Sequence, residues 1–210
     1  MVSRNEAAFF LAVVLFALAV SLIAYFLNAV NPYNLAARLF ALNGFIALSI
    51  ASILTAFLKE VTLFFKKPFT RIHHYFAATG LVLITLHPIT LAVQLMNPAV
   101  FLPNINSLYL FLFFGGRQAL IIIYIALAAV LLRRKISTYW RVFHALMYVA
   151  LFFGIVHADL SGSDFGNFAV LIVFNGLFVA LLAAFVYKRW QFYQLKVRIK
   201  KRKEVSKKKA

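Results

Sequence analysis

The five histidines of the chain lie in two apolar segments and nowhere else. They are His73, His74 and His87 in residues 71–88, and His144 and His157 in residues 140–157. Ionisable side chains are costly in hydrocarbon, so their presence in segments of this kind indicates a functional site. Because imidazole is the commonest metal ligand in proteins and a frequent axial ligand of haem iron, haem binding is the leading hypothesis.

The spacing in the first segment favours two ligands on one helix face. His73 and His87 are 14 residues apart, which on an α-helix returns to within about 40° of the same direction after a rise of about 21 Å. His74 and His87 are 13 residues apart and point about 140° away from each other. His73 is therefore the predicted partner of His87. His74 is expected to hydrogen-bond a haem propionate or to face the membrane interface, and it replaces His73 as ligand only if the helix is distorted.

The second segment has a similar rise but a different phase. His144 and His157 are 13 residues apart, a rise of about 19.5 Å, so an ideal helix would place them on different faces. The sequence therefore predicts a π-bulge or a bend near Gly154. In two parallel helices, His73 would then face His144 and His87 would face His157. Each pair could clamp one haem iron, and an iron with two imidazole ligands has no open position and serves electron transfer.

Other roles for these histidines stay open. A single intramembrane histidine can bond a neighbouring helix, and several can form a proton relay. A zinc site requires its ligands close together, which two pairs separated by about 20 Å do not provide. Arg71, Arg141 and Arg117 are the candidate partners of the haem propionates. Arg71 and Arg141 are equally explained as topology markers.

The composition places the chain among membrane proteins. Of its 210 residues, 64% are hydrophobic. There is no cysteine, which excludes disulfides, thiolate-ligated haem, cysteine-bound iron–sulfur clusters and cysteine-based zinc sites. The net charge of +17 lies in loops and a tail between apolar segments. This pattern indicates contact with membrane lipid and the positive-inside rule, and it argues against nucleic acid as a partner.

The predicted fold is an all-α integral membrane protein, a six-helix transmembrane bundle that binds two b-type haems. The six expected spans are residues 8–28, 37–58, 72–96, 117–133, 140–159 and 166–187, each close to the ~20 residues that cross hydrocarbon. Basic residues follow the second, fourth and sixth spans. This places both termini in the cytoplasm and the protein in the inner or plasma membrane. Residues 97–116 are too short to span, and we expect an interfacial or re-entrant cap on the outer face.

Three units are expected along the chain. Residues 1–36 form the first span and a linker, residues 37–187 the haem domain, and residues 188–210 a basic cytoplasmic tail. Such a tail is either solvated, or lies as a helix on anionic lipid, or docks an acidic soluble partner.

Three sequence blocks resemble the ferric-reductase-like transmembrane domain superfamily over about residues 37–187. They are Arg71-x-His73-His74 with His87 fourteen residues after His73, Gly116-Arg-Gln-Ala-Leu120, and Arg133-Arg-Lys135 with Trp140-Arg-x-x-His144 followed by His157. The superfamily includes NADPH oxidases, ferric-chelate reductases and the haem-binding membrane subunit of the periplasmic methionine-sulfoxide reductase system. The resemblance implies six helices, an inner haem held by His73 and His144, and an outer haem held by His87 and His157.

One departure from the family concerns the electron donor. Many members carry a flavin and NADPH dehydrogenase domain, but this sequence has no glycine-rich dinucleotide fingerprint. FAD or FMN would therefore come only through a partner, a separate cytoplasmic flavin reductase, unless a quinol donates the electrons. The chain would be the membrane haem subunit of an oxidoreductase that reduces ferric chelate, oxygen or an extracytoplasmic redox partner such as a methionine-sulfoxide reductase. One competing hypothesis is a proton-coupled transporter that uses the histidines as a relay, and the lack of an Asp or Glu within the predicted spans argues against it. The other is a structural anchor.

Overall fold

The computed structural model describes residues 4–27 and 32–209, and within these residues it contains helices and no strand. The α-helices are α1 (Arg4–Leu27), α2 (Pro32–Leu54), α3 (Leu58–Phe65), α4 (Phe69–Leu95), α5 (Leu108–Phe113), α6 (Gly115–Leu131), α7 (Trp140–Ala145), α8 (Met147–Ser161) and α9 (Phe168–Lys209). Short 3₁₀ turns at Pro98–Phe101, Ser137–Tyr139 and Ser163–Gly166 connect them. The prediction of an all-α fold is confirmed for the described residues.

Four helical segments of the described chain are long and apolar enough to cross a membrane. They are Asn34–Leu54, Phe69–Leu95, Ser137–Ser161 and Phe168–Lys201. Two shorter apolar helices, Ala8–Ile23 and Gly115–Leu131, occupy the places of the predicted first and fourth spans. Length and hydropathy therefore support four of the six expected spans directly, and the other two stay a prediction.

The ends of the helices follow from local chemistry. Helix α2 begins at Pro32, because proline has no N–H to leave unpaired in the first turn. The side chains of Ser107 and Asn167 accept hydrogen bonds from backbone N–H groups at the starts of α5 and α9. Met96 takes a left-handed conformation at the end of α4, where its N–H bonds carbonyls of the last turn.

Helices α2 and α4 form the closest pair in the bundle, and glycine allows their approach. A Cβ atom on Gly80 would lie 2.9 Å from the backbone nitrogen of Leu48, and one on Gly44 would lie 3.0 Å from the backbone nitrogen of Ile84. The first distance is shorter than real side chains show and the second is tighter than most of them show, so both glycines allow the two backbones to approach closely. Gly80 therefore serves helix packing.

Helix α2 also contacts α1, α8 and α9, so it lies at the centre of the bundle. Phe174 and Leu181 of α9 are almost fully buried beside Phe45 and Leu151. Helix α6 packs against α7 and α8. Large apolar side chains remain exposed around the periphery, as expected for surfaces that face lipid rather than water.

The irregularity predicted near Gly154 occurs elsewhere. Helix α8 continues through Gly154, and the break lies at Leu146, between α7 and α8. There the N–H of Leu146 bonds the carbonyl of Phe143, three residues back, at 3.0 Å. A 3₁₀ turn rotates about 120° per residue instead of about 100°, so the break changes the angle between His144 and the later residues. The structure thus places the irregularity at Leu146, eight residues before the predicted position at Gly154.

Two ends of the bundle can be distinguished. The cap end carries residues 97–114, which include the 3₁₀ turn at Pro98–Phe101 and α5, together with the Ser163–Gly166 turn. The basic end carries Lys66, Arg71, Arg133 and Arg141. Helix α9 continues without a break past residue 187 to Lys209, a length of about 63 Å, so the predicted boundary before the tail falls inside one helix.

Candidate functional site

The four principal histidines form two pairs, one at each end of the bundle. His73 of α4 lies beside His144 of α7, with ring centroids 6.3 Å apart and the rings nearly perpendicular at 80°. His87 of α4 and His157 of α8 line the same cavity at the cap end. The structure thus brings together the two pairs predicted from the spacing, and we call them the basic-end pair and the cap-end pair.

The cap-end cavity has a volume of about 420 Å³ and lies between α2, α4, α6 and α8. Apolar side chains make most of its wall, including Phe45, Leu48 and Leu151. Gly116 leaves room for the imidazole of His157, since a Cβ there would lie 2.8 Å from its Cδ2 atom. A cavity of this size with a few placed polar groups is typical of a cofactor site.

Three of the four histidines are oriented by a backbone carbonyl of a neighbouring helix. The Nδ1 atoms of His73 and His87 lie 3.1 Å and 2.8 Å from the carbonyl oxygens of Ala51 and Ala37. The Nδ1 of His157 lies 2.6 Å from the carbonyl oxygen of Phe113. Because a carbonyl oxygen only accepts, each Nδ1 must carry the proton. The Nε2 atom then has the free lone pair, as in histidines that bind metals.

Helix register produces this pattern. Ala37 and Ala51 on α2 are 14 residues apart, the same separation as His87 and His73 on α4. Since the two helices run antiparallel, both histidines meet carbonyls of the same partner helix at two depths about 21 Å apart. The packing of α2 against α4 thus positions both histidines.

His144 is held differently. Its Nδ1 atom is buried, and the carbonyl of Ala126 faces it without forming a hydrogen bond of normal geometry. The ring of Trp140 lies 6.3 Å from the His144 ring, and the ring of Phe69 stacks on His73 at 5.5 Å. In the basic-end pair, aromatic rings pack on both histidines and one of the two has a hydrogen-bonded Nδ1, whereas both cap-end histidines have one.

The remaining predicted residues take separate places. His74 is exposed and lies beside the basic-end pair. The centroid of its ring is 5.8 Å from that of the His73 ring. Arg71 and Arg141 are exposed at the basic end, and Arg141 lies over the ring of Trp140. Arg117 lines the cap-end cavity and donates hydrogen bonds to the carbonyls of Ala99 and Leu102, at 3.1 Å and 2.7 Å.

Sequence reasoning missed one feature of the cap-end cavity, a buried ion pair. The guanidinium of Arg38 binds the carboxylate of Asp164 in a two-point contact, with Nε 2.9 Å from Oδ2 and a second bond from the terminal nitrogen to Oδ1. The two residues are only 8% and 3% exposed, and both line the cavity. The sequence offered one signal: Arg38 and Asp164 both lie next to predicted span ends on the side of the membrane that is poor in basic residues.

The geometry at the basic end can be tested against haem ligation. Two imidazoles that bind one metal ion through bonds of about 2.0–2.1 Å place their ring centroids roughly 6 Å apart. The observed 6.3 Å agrees with this value. At the cap end, the two histidines share a cavity and present Nε2 by the same hydrogen-bond pattern. The ring spacing at the basic end and the shared cavity at the cap end are thus both compatible with ligation by two imidazoles.

An all-protein metal site has less support. No group of three or more His, Cys, Asp or Glu that could hold a metal ion lies among residues 4–27 and 32–209. A bis-imidazole haem needs only two protein donors, because the porphyrin supplies the others.

The chain matches no protein-family model, no curated protein and no solved structure.

Proposed function

We propose that this chain is a transmembrane electron conduit, in which two b-type haems are each held by a pair of histidines. The observation that carries this proposal is the shared hydrogen-bond pattern of His73, His87 and His157, whose Nδ1 atoms face backbone carbonyls. With Nδ1 held by a carbonyl, each of these histidines keeps its Nε2 lone pair available for a metal ion. When bound between two imidazoles, haem iron changes between ferric and ferrous states and passes electrons.

The protein's own part is to orient ligands and exclude water. Carbonyls of Ala37, Ala51 and Phe113 fix the ring tautomers and directions of the histidines. The apolar walls of the cap-end cavity would keep water away from the bound group. Arg38 and Arg117 are the cationic groups of that cavity and would stand near the anionic propionates.

The proposal includes an orientation of the chain in the membrane. Six spans would place the basic end in the cytoplasm and the cap end outside, in accordance with the positive-inside rule. Electrons would enter from a cytoplasmic-side flavoprotein or a quinol and leave to an extracytoplasmic acceptor, such as ferric chelate, oxygen or a redox partner. The ferric-reductase-like resemblance supports this direction.

The direct test is electron transfer across a sealed bilayer. The haem-loaded protein is placed in vesicles that contain ferricyanide, and dithionite is added outside. We expect reduction of the internal ferricyanide, and much slower reduction in vesicles that contain His87→Ala, which lacks one ligand of the cap-end pair. Equal rates with the wild type, the variant and empty vesicles would contradict the proposal.

One observation favours the second candidate, a proton-coupled transporter. Asp164 is buried at the cap-end cavity with His87 and His157 in the same wall, whereas the sequence placed this carboxylate at or beyond the membrane ends. A relay would move protons without haem. Proton flux in haem-free vesicles, measured with an enclosed pH dye, would favour this function, and flux equal to that of empty vesicles would exclude it.

A further inference from the structure

The first basic residue of the predicted tail, Lys188, lies on the face of α9 that packs against the bundle. It follows Leu181 and Ala184 at intervals of seven and four residues, which is the spacing of one helix face. Those two residues are 0% and 7% exposed. Lys188 continues this face and is half-buried, whereas its neighbour Arg189 is exposed. The side chain of Lys188 is thus directed differently from a residue that only marks the membrane orientation.

Packing of α9 places Lys188 beside the basic-end pair. The ring of Phe185, three residues before Lys188, lies 4.6 Å from the ring of Tyr148, which follows His144 by four residues. The ammonium group of Lys188 is close enough to both His73 and His144 for its charge to act on their imidazoles. Among the described Lys and Arg residues, Lys188 is the one whose charge acts on both rings.

This ammonium group has no counter-charge. In the part of the chain that the structure describes, no carboxylate pairs with Lys188. A cation that is partly removed from water without an anionic partner is costly, and an anion bound beside it would remove that cost. The two arginines expected at this end are placed differently. Arg71 is exposed, and Arg141 is exposed with its guanidinium 5.5 Å from the ring centroid of Trp140.

We propose that Lys188 pairs with a propionate carboxylate of the haem at the basic end and positions that haem between His73 and His144. The inference rests on the proposed electron-transfer function, and it adds a residue to one of its two sites. A lysine ammonium binds a carboxylate through strong charge-assisted hydrogen bonds. A lysine that only extends to the membrane surface would have the same exposure, but it would not distinguish a carboxylate from a neutral ester.

Haemin titration in the His87→Ala background tests the assignment, because that background lacks one ligand of the cap-end pair. Lys188→Met should weaken haemin binding there about tenfold, since one charge-assisted bond is lost. Lys188→Arg should restore most of the affinity, because the cation returns. Arg189→Met is the matched control, since it removes the same charge from the exposed neighbour and should leave the affinity unchanged. Equal losses in Lys188→Met and Arg189→Met would overturn the assignment.

Haemin dimethyl ester gives a readout that a purely structural role would not move. Its propionates are esterified and uncharged, while its iron still accepts imidazole ligands. In the same His87→Ala background, the ester should bind about tenfold more weakly than haemin. Lys188→Met should cause no further loss with the ester. Equal losses for haemin and the ester on this substitution would show that Lys188 supports the fold rather than the carboxylate, which would overturn the proposal.

Unfolding of the haem-free protein separates ligand binding from folding. Because Lys188 lacks a counter-charge, Lys188→Met should not lower the midpoint of denaturant unfolding in detergent. If Lys188→Met does not fold, Lys188→Gln replaces it in both titrations.

The two proposals fail in distinguishable ways. A protein that binds neither haemin nor its ester contradicts the electron conduit, and the role of Lys188 falls with it. A protein that binds haemin in the His87→Ala background with the same affinity whether residue 188 is charged or neutral keeps the conduit and excludes Lys188 as the propionate partner.

Discussion

The two histidine pairs sit at similar helix positions but in unlike surroundings. At the cap end, both histidines have hydrogen-bonded Nδ1 atoms, line a cavity of about 420 Å³ and stand beside the buried Arg38–Asp164 pair. At the basic end, the rings of His73 and His144 meet edge to face, and the Nδ1 of His144 has no hydrogen bond of normal geometry. The cap-end pair is therefore the better organised of the two.

The same two helices can therefore position the histidines of one site by more hydrogen bonds than those of the other. Helices α2 and α4 serve both ends, through the carbonyls of Ala37 and Ala51. The helices that carry the other two histidines differ. On α8, His157 bonds the Phe113 carbonyl of α5 and fits against Gly116, whereas α7, which carries His144, is a short helix that ends at the break at Leu146. Loss of a hydrogen bond to a metal-binding histidine typically lowers metal affinity about 10–100-fold. We therefore expect the cap-end site to bind haem more tightly.

Removal of one histidine should have the largest effect. Titration of the haem-free protein with haemin should give two binding steps about 10–100-fold apart in affinity. His87→Ala should abolish the tighter step and His73→Ala the weaker one, as followed by absorbance. His74→Ala is the control and should keep both steps. If His73→Ala removed the tighter step, the ranking of the two ends would be reversed.

The buried ion pair should contribute most to the stability of the cap end. Arg38→Met leaves Asp164 buried without its partner, which should cost about 3–5 kcal/mol of unfolding free energy. The double variant Arg38→Met/Asp164→Leu should recover most of this loss, because no unpaired charge remains. Denaturant titration in detergent measures both.

The exposed Arg71 supplies the matched control at the basic end. Arg71→Met should change the unfolding free energy by no more than about 0.5 kcal/mol. An equal loss of unfolding free energy in Arg38→Met and Arg71→Met would mean that the buried ion pair stabilises the protein no more than a surface charge does.

A smaller effect is expected from Gly116. Its replacement by alanine would place a Cβ atom 2.8 Å from Cδ2 and 3.1 Å from Nε2 of His157. Displacement of this ring should cost about 1–3 kcal/mol of cap-end haem binding and leave the basic-end step unchanged. Gly176→Ala is the control, since nothing lies within 4 Å of its Cβ position. Unchanged cap-end affinity in Gly116→Ala would show that His157 binds no haem in this orientation.

The smallest effect concerns the hydroxyl of Ser161, 3.0 Å from the Nδ1 of His157. Ser161→Ala should weaken cap-end haem binding by about 0.5–1.5 kcal/mol, since the carbonyl of Phe113 still holds the ring. Ser52→Ala, whose hydroxyl donates only to the carbonyl of Leu48, should have no effect on haemin binding. A drop at the basic-end step instead would contradict the separation of the two sites.

The sequence predicts the helices and the pairing of histidines, because both depend on local periodicity. Apolar runs and breakers such as Pro32 place the helices, and the 14-residue interval places His73 and His87 on one face. Neither the break at Leu146 nor the Arg38–Asp164 pair follows from local rules. The two members of that pair are 126 residues apart and meet only through packing of α2 against the turn before α9.

The contacts of single polar groups illustrate the same limit. Asn43 reads in sequence as one polar residue within an apolar helix, and its hydrogen bond to Ser21 of α1 becomes visible only in the folded bundle. The carbonyl partners of the histidines are also invisible in sequence, because every residue has a carbonyl and only the helix register selects Ala37, Ala51 and Phe113.

The number of haems per chain tests the central claim most directly. The protein is purified from cells supplied with a haem precursor, and the pyridine haemochrome spectrum is measured together with the protein concentration. Two ligand pairs predict a b-type spectrum with about two haems per chain. A folded, membrane-inserted protein that remains colourless under these conditions, and binds no added haemin, would contradict the account.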